Sequence, residues 1–176
     1  KGSYPDSVEL PAWSYSQRTT AADGHLCEKT FDKVTYSGHD ELSALSQLLA
    51  YFVAEGTLGF DEAGDPFQLS VTGDHEDEVR ALCERLSITC CSAVAEGRSV
   101  KKIRLGGGRQ LARYFYSSCG HYSYNKRLPA WVLNLPPDEL TRVWEVLKTT
   151  DGSVNENGRV VYGTTSLELA RQVQEL

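Results

Sequence analysis

The pattern of apolar and polar positions first becomes regular at about residue 40. Apolar residues recur every three or four positions from Glu41 to Ala54, which predicts an amphipathic helix with Asp40 as its N-cap. A second helix is predicted from Pro137 to about Thr150, because proline suits the first turn of a helix. Both helices run into an acid followed by glycine, in LLAYFVAEG and WEVLKTTDG.

Strand-like and helical segments alternate after each of these helices. The first is followed by two strands around DEAGDP, a helix in DHEDEVRALCERL, two strands in ITCCSAVAEG and SVKKIRLGG, and a helix from Arg109 to Ser118. After the second, GSVNENGRVVYGTTS predicts a hairpin and SLELARQVQEL a helix. The order predicts an α+β fold, with an αββαββα unit and a connecting segment over residues 40–136 and the start of a second unit over 137–176. Residues 1–39 form an unassigned N-terminal segment, with a short hairpin expected within LCEKTFDKVTYSG.

Composition limits the class of protein. The 176 residues, 40% of them hydrophobic, are enough for one sizeable core or two small fused lobes. No apolar run reaches the roughly 18 residues that span a bilayer, and no secretory signal is visible, so no membrane partner is expected. The five cysteines include no CxxC pair, which favours reduced thiols in a cytoplasmic protein over a disulfide framework or a zinc site. Met is absent, which suggests a piece of a larger host polypeptide.

Charge is distributed unevenly along the chain. The formal net charge is −6, yet no Asp or Glu occurs from Gly97 to Pro137. The basic residues of that stretch, which is also rich in tyrosine, are Arg98, Lys101, Lys102, Arg104, Arg109, Arg113, Lys126 and Arg127. A basic block in an acidic chain predicts a phosphate-binding surface, and the alternative is a solvated basic face balanced by acids elsewhere.

Four segments resemble parts of the LAGLIDADG homing endonucleases, particularly those encoded within inteins, and they follow one another along the chain in the order found in that family. LLAYFVAEG and VLKTTDGS resemble the two LAGLIDADG helices, NKRLPAWVLNLP resembles the segment before the second helix, and VVYGTTSLELARQVQEL resembles the segment that closes such domains. The resemblance covers residues 40–176. It implies a pseudo-two-fold LAGLIDADG fold with an incomplete second repeat, in a monomer that cuts double-stranded DNA at a long asymmetric site with Mg²⁺, using two or more divalent ions.

The resemblance assigns roles to three residues. Glu55 and Asp151, related by a shift of 96 residues, are implied to be catalytic metal ligands, since hard oxygen ligands suit the Mg²⁺ that activates water for phosphodiester hydrolysis. The alternative is that each acid merely ends a helix before a glycine cap, although an acid is unfavourable at the negative end of a helix dipole. Lys126 is implied to act beside the scissile phosphate, with Arg127 as the alternative. His75 is expected to be merely exposed.

Six basic residues are candidates for contact with DNA: Lys101, Lys102, Arg104, Arg109, Arg113 and Arg127. Strand alternation in SVKKIRLGG predicts Lys102 and Arg104 on one face and Lys101 with Ile103 on the other. Solvated strand lysines are the alternative at these positions. The alternative function is that of a catalytically inactive DNA-binding or structural relative with the same fold, and metal-dependent cleavage of DNA distinguishes the two.

Overall fold

A long β-ribbon begins the computed structural model, which describes residues 2–18, 26–94 and 101–176, with only the backbone at 17 and 18. Its strands are β1 (Ser7–Leu10), β2 (Trp13–Arg18), β3 (Leu26–Phe31) and β4 (Val34–Ser37). β2 pairs antiparallel with β3, and β1 pairs with β4 in the same register, so a single ribbon is interrupted at residues 11–12 and 32–33. The predicted hairpin within LCEKTFDKVTYSG is therefore wrong. Both of its strands form, but they pair with β2 and β1, because local alternation marks a strand without choosing its partner.

Apart from one short helix at Ala130–Leu133, which the sequence did not indicate, the remaining elements follow in the expected order. They are α1 (Gly38–Glu55), β5 (Gly56–Phe60), β6 (Pro66–Thr72), α2 (Glu76–Arg85), β7 (Cys90–Val94), β8 (Lys101–Leu105), α3 (Gly108–Cys119), α4 (Ala130–Leu133), α5 (Pro137–Asp151), β9 (Gly152–Val154), β10 (Val160–Tyr162) and α6 (Leu167–Val173). The fold is mixed α+β with small antiparallel sheets. None of the helices in the described part of the chain is long and apolar enough to cross a membrane.

Helix α1 begins earlier than the sequence suggested. Ser37 occupies the N-cap position, and its backbone N–H donates to the Glu41 carboxylate at 2.7 Å. A glutamate that reaches back to the N-cap in this way satisfies a free backbone donor, so the helix starts at Gly38. The prediction that Asp40 is the N-cap is wrong, since Asp40 lies within the first turn and pairs with Arg85 of α2 at 2.8 Å.

Helix α1 is the centre of the hydrophobic core. From Leu42 to Val53, every residue of the helix except Gln47 is buried. Helix α5 packs along one side of α1, while α2, α3 and the β6 strand contact its other sides. A helix that carries apolar or small residues on all of its faces is stable only in the interior.

A four-stranded antiparallel sheet, in the order β5-β6-β8-β7, covers part of this core. Its inner face carries the buried side chains Leu58, Leu69, Val71, Ile103 and Leu105. The alternate positions form an outer face, on which Thr57, Lys102 and Arg104 are exposed. After α5, strands β9 and β10 form a separate two-stranded pair, and α6 follows.

Candidate active site

The two acids singled out in the sequence end the two helices that pack together in the core. Glu55 is the last residue of α1 and Asp151 the last of α5. Gly56 and Gly152, which follow them, have extended backbones that lead directly into β5 and β9. A Cβ at Gly56 would collide with the backbone of Phe52, and one at Gly152 with that of Lys148. Glycine is therefore needed at both helix ends for close approach rather than for a left-handed cap.

Equivalent positions of α1 and α5 meet in the core. The Ser43 hydroxyl donates to Oε2 of Glu139 at 2.7 Å, and these residues are separated by the same 96 positions as Glu55 and Asp151. From this contact both helices run the same number of residues to their terminal acids. The helix ends are near enough for the negative charge of Asp151 to raise the pKa of Glu55.

The Glu55 carboxylate lies in a confined position beneath the end of β6. A Cβ added at Gly73 would overlap its Oε2 atom, and this oxygen is buried without a hydrogen-bond partner among the described residues. Burial raises the pKa of Glu55, His75 opposes the rise, and the charges of Asp151 and Asp74 add to it. An unpaired, desolvated carboxylate oxygen next to further acids is a position that a cation would stabilise.

The Glu55 and Asp151 carboxylates supply the kind of oxygen ligand that divalent ions such as Mg²⁺ prefer. Burial also raises the pKa of Asp151, whereas the Lys126 ammonium lowers it. Among the described residues, no cluster of three or more His, Cys, Asp or Glu side chains is arranged to hold a metal. An ion bound by Glu55 and Asp151 would therefore complete its coordination with backbone, water or phosphate oxygens, as Mg²⁺ commonly does.

Lys126 lies at the end of α1, and its charge acts on both acids. Its side chain is 6% exposed, and its ammonium donates to the carbonyl oxygens of Phe52 and Gly56, each at 2.7 Å. The ammonium also lies 4.8 Å from the centroid of the Phe52 ring. It thus occupies the negative end of the α1 dipole, where a cation is favourable. Burial lowers the pKa of Lys126 to about 8, against the opposing influence of Cys119, Asp151 and Glu55.

The C-terminal helix fixes the backbone around Lys126. The Ser166 hydroxyl, at the N-cap of α6, donates to the Lys126 carbonyl at 2.6 Å. The Gln172 side chain accepts from the Leu128 N–H at 2.8 Å and donates to the Leu128 carbonyl at 3.0 Å. Arg127 points elsewhere, since its guanidinium donates to the Ser117 carbonyl at 2.9 Å near the end of α3. Of the two neighbouring cations, Lys126 is the one whose charge acts on both acids.

Replacing Lys126 with Met should alter the pH dependence of stability. Burial lowers the pKa of Lys126 from an ordinary value of 10.5 to about 8. Between these values the unfolded chain binds more protons than the folded chain, so this group makes the free energy of unfolding rise with pH. Relative to Lys126→Met, the native protein should therefore gain stability between about pH 8 and pH 10.

Urea unfolding at both pH values measures this difference. Lys29→Met, which removes an exposed lysine of β3, is the matched control and should keep the native pH dependence. Parallel pH curves for native protein and Lys126→Met would show that the buried ammonium does not titrate as described.

A cleft of about 560 Å³ opens beside these groups. Lys126 and Asp151 line it, together with the start of β5 at Gly56 and Thr57 and the loop from Gly163 to Thr165. The Glu55 carboxylate turns toward Gly73 instead, behind this lining. The cleft therefore brings one acid and the buried cation to the surface next to the outer face of the four-stranded sheet.

Two of the six residues predicted to contact DNA lie free on the outer face of the sheet. Lys102 is aligned with Thr72 and Arg104 with Ser70 on the neighbouring strand β6. Neither Lys102 nor Arg104 makes an ion pair with any residue that the structure describes. The predicted alternation is confirmed, because Ile103 between them is buried on the opposite face. Arg98 lies outside the described residues.

Three other predicted contacts are engaged within the protein. Lys101 pairs with Glu76 of α2 at 2.8 Å, Arg109 pairs with Asp61, and Arg113 pairs with Asp65 at 2.8 Å. The two arginines also lie over aromatic rings of the ribbon: Arg109 is 4.5 Å from the centroid of Tyr15 and Arg113 5.0 Å from that of Trp13. These arginines attach the N-terminal ribbon to α3, an arrangement for which the sequence offers no local indication.

Three residues near the acids were not identified from the sequence. Gly73 covers Glu55, and His75 is half-buried with its ring 5.4 Å from that of Tyr51, rather than merely exposed. Tyr162 at the end of β10 has a buried hydroxyl without a partner among the described residues. Burial and the charge of Asp151 raise the pKa of Tyr162. In the sequence, Gly73 is marked only by its place just after a predicted strand, and His75 only by its place just before a predicted helix.

Neither a protein-family model nor a curated protein sequence matches this chain. We therefore infer a function from the residues of the site and their geometry.

Proposed function

We propose that the chain is a LAGLIDADG-type, site-specific DNA endonuclease domain of the intein-encoded kind, which hydrolyses phosphodiester bonds of double-stranded DNA with Mg²⁺. The observation that carries the proposal is the placement of Glu55 and Asp151 at equivalent ends of two packed helices, with the Lys126 ammonium acting on both. Desolvation raises the pKa of both acids, and the charge of Asp151 adds to the rise at Glu55, so both stand at positions where a helix end alone favours neither.

Each residue of the site has a role in this reaction. Glu55 and Asp151 would hold Mg²⁺, which when bound supplies an activated water and stabilises charge on the leaving 3′ oxygen. Lys126 has three N–H donors and uses two on the Phe52 and Gly56 carbonyls. Its third N–H makes no hydrogen bond to a described residue and can donate to a phosphate oxygen in the cleft. The ammonium thereby offsets the negative charge that accumulates on the phosphate.

The outer face of the four-stranded sheet provides the adjoining DNA surface. Lys102 and Arg104 are exposed there, together with the Thr57 hydroxyl and the half-buried Thr72. Strands that carry cations and hydroxyls on one face can contact phosphates and base edges of a duplex. The second half of the chain differs in sequence from the first, so a single chain would read an asymmetric site. Double-stranded DNA bound by a monomer is the partner we propose.

A second candidate is an inactive relative that binds DNA without cutting it. The observation that favours it is the engagement of Lys101, Arg109 and Arg113 with acids of the same chain, which leaves fewer free cations for a long DNA site. Such a protein would keep a salt-dependent contact through Lys102 and Arg104.

Incubation with a randomised duplex DNA library tests the proposal. The protein would be assayed with Mg²⁺ and, in parallel, with EDTA, and the cut ends would be sequenced. We expect one enriched long site, cut only in the presence of Mg²⁺. Salt-sensitive binding with no cutting would overturn the endonuclease in favour of the inactive relative, and absence of both would overturn the two candidates together.

A further inference from the structure

Four aromatic rings form a column beside the cleft. The Phe60 and His121 centroids are 4.5 Å apart, those of His121 and Tyr122 are 4.5 Å apart, and those of Tyr122 and Tyr124 are 5.3 Å apart. The last two rings are nearly parallel, with an angle of 7° between their planes. The column therefore starts at the half-buried Phe60 and ends at Tyr124.

The outer end of this column is open to solvent. Tyr122 is 56% exposed and Tyr124 is 64% exposed. Asn125 fixes the backbone of this segment: its side-chain Oδ1 accepts the His121 backbone N–H at 3.1 Å, and its own backbone N–H donates to the Tyr122 carbonyl at 2.9 Å. Two large rings that are ordered against each other and exposed together leave an aromatic surface for a partner, at little entropic cost on binding.

The surroundings of the column indicate the chemistry of that partner. His121 and Tyr122 line the same cleft as Lys126 and Asp151. The Lys126 ammonium, which uses two of its N–H groups on the Phe52 and Gly56 carbonyls, places a positive charge in this cleft. A flat π-face attached to an anionic backbone fits an aromatic surface beside the Lys126 cation, and a nucleobase of DNA has both properties.

We propose that Tyr122 and Tyr124 form a stacking platform for one unpaired DNA base at the rim of the Lys126–Asp151 cleft. The base is unpaired because a base within a duplex has both of its faces covered by its neighbours. Stacking on Tyr124 would extend the parallel pair of Tyr122 and Tyr124 by one ring. The proposal rests on the proposed function for its choice of DNA as the ligand.

Binding of two single-stranded oligomers without Mg²⁺ tests the platform. Fluorescence anisotropy would compare labelled oligothymidylate of about 15 nucleotides with an abasic oligomer of equal length and charge. The native protein should bind the thymidylate roughly 10-fold more tightly, because only that oligomer offers bases to stack. Equal affinity for both oligomers, or binding of neither, would overturn the platform without recourse to any variant.

Matched variants locate the effect. Tyr122→Leu with Tyr124→Leu keeps apolar side chains but removes the rings, and should make the two affinities equal. Tyr122→Phe with Tyr124→Phe keeps the rings and should retain the preference, as should Leu167→Ala, which removes another exposed apolar side chain. If the variant with both tyrosines replaced by leucine still binds the thymidylate more tightly than the abasic oligomer, the platform is overturned. The binding experiment measures no cleavage, so its outcome can be interpreted even if the library experiment finds no cut site. If the protein cuts DNA but shows no preference for the thymidylate oligomer, only the stacking platform is overturned.

Discussion

The Glu55→Gln, Asp151→Asn double variant is expected to lose DNA cleavage by at least about 10³-fold while it retains DNA binding. Each amide keeps the shape of the carboxylate but removes the charge that would hold Mg²⁺. The DNA surface formed by Lys102 and Arg104 is left intact. Cleavage of the site found in the library and binding to the same duplex in EDTA are the two measurements.

Stability distinguishes a functional role of these acids from a structural one. Burial raises the pKa of Glu55, so at neutral pH its charged form is less favourable in the folded chain than in the unfolded chain. The double variant should therefore unfold at the same temperature as the native protein or higher, a common property of residues kept for function. Glu168→Gln, which removes a carboxylate at an exposed position of α6, is the control and should cleave DNA as fast as the native protein. Native cleavage rates in the double variant would refute the assignment of both acids.

Gln172→Leu is expected to lower the free energy of unfolding by about 2–4 kcal/mol and to impair cleavage. The Gln172 side chain is 7% exposed and satisfies both backbone groups of Leu128. Leucine fills a similar volume but leaves a buried N–H and a buried carbonyl without partners. Since Leu128 is two residues from Lys126, the loss also releases the backbone that positions the ammonium.

Gln174→Leu makes the same chemical change at an exposed position of the same helix end. Its free energy of unfolding should stay within about 0.5 kcal/mol of the native value, as for most surface substitutions. Urea unfolding of both variants gives the comparison. Equal stability of the Gln172 and Gln174 variants would mean that the amide clamp does not hold the Lys126 segment.

Elements with strong local patterns could be predicted from the sequence. Helix α1 follows from the spacing of its leucines, and the four strands of the sheet from alternation between turns rich in glycine, aspartate and proline. Boundaries were less accurate: the start of α1 depends on Glu41 reaching back to Ser37, and an acid in the first turn does not by itself identify the N-cap. The ribbon partners of β3 and β4 depend on residues about 10 to 30 positions away, which periodicity does not encode.

The candidate site divides in the same way. Glu55, Asp151 and Lys126 stand in recognisable local segments, so the sequence could mark them. The ion pairs of Arg109 with Asp61 and of Arg113 with Asp65 each join residues 48 positions apart. From the sequence, these arginines are assigned to a DNA-binding surface because basic residues are counted along the chain. Such a count contains no information on which acids the fold brings next to them. The same limit applies to Gly73, whose importance arises only from the carboxylate that lies against it.

The contact between Ser43 and Glu139 also determines which helices can pair. Two copies of α1 in this arrangement would place serine against serine and lose the charge-assisted hydrogen bond. Two copies of α5 would bury two glutamates against each other, which is strongly unfavourable unless a proton is shared. The core therefore favours the unlike pair of helices within one chain over like pairs between two chains. A single polar contact in this way disfavours dimers built on two copies of the same helix.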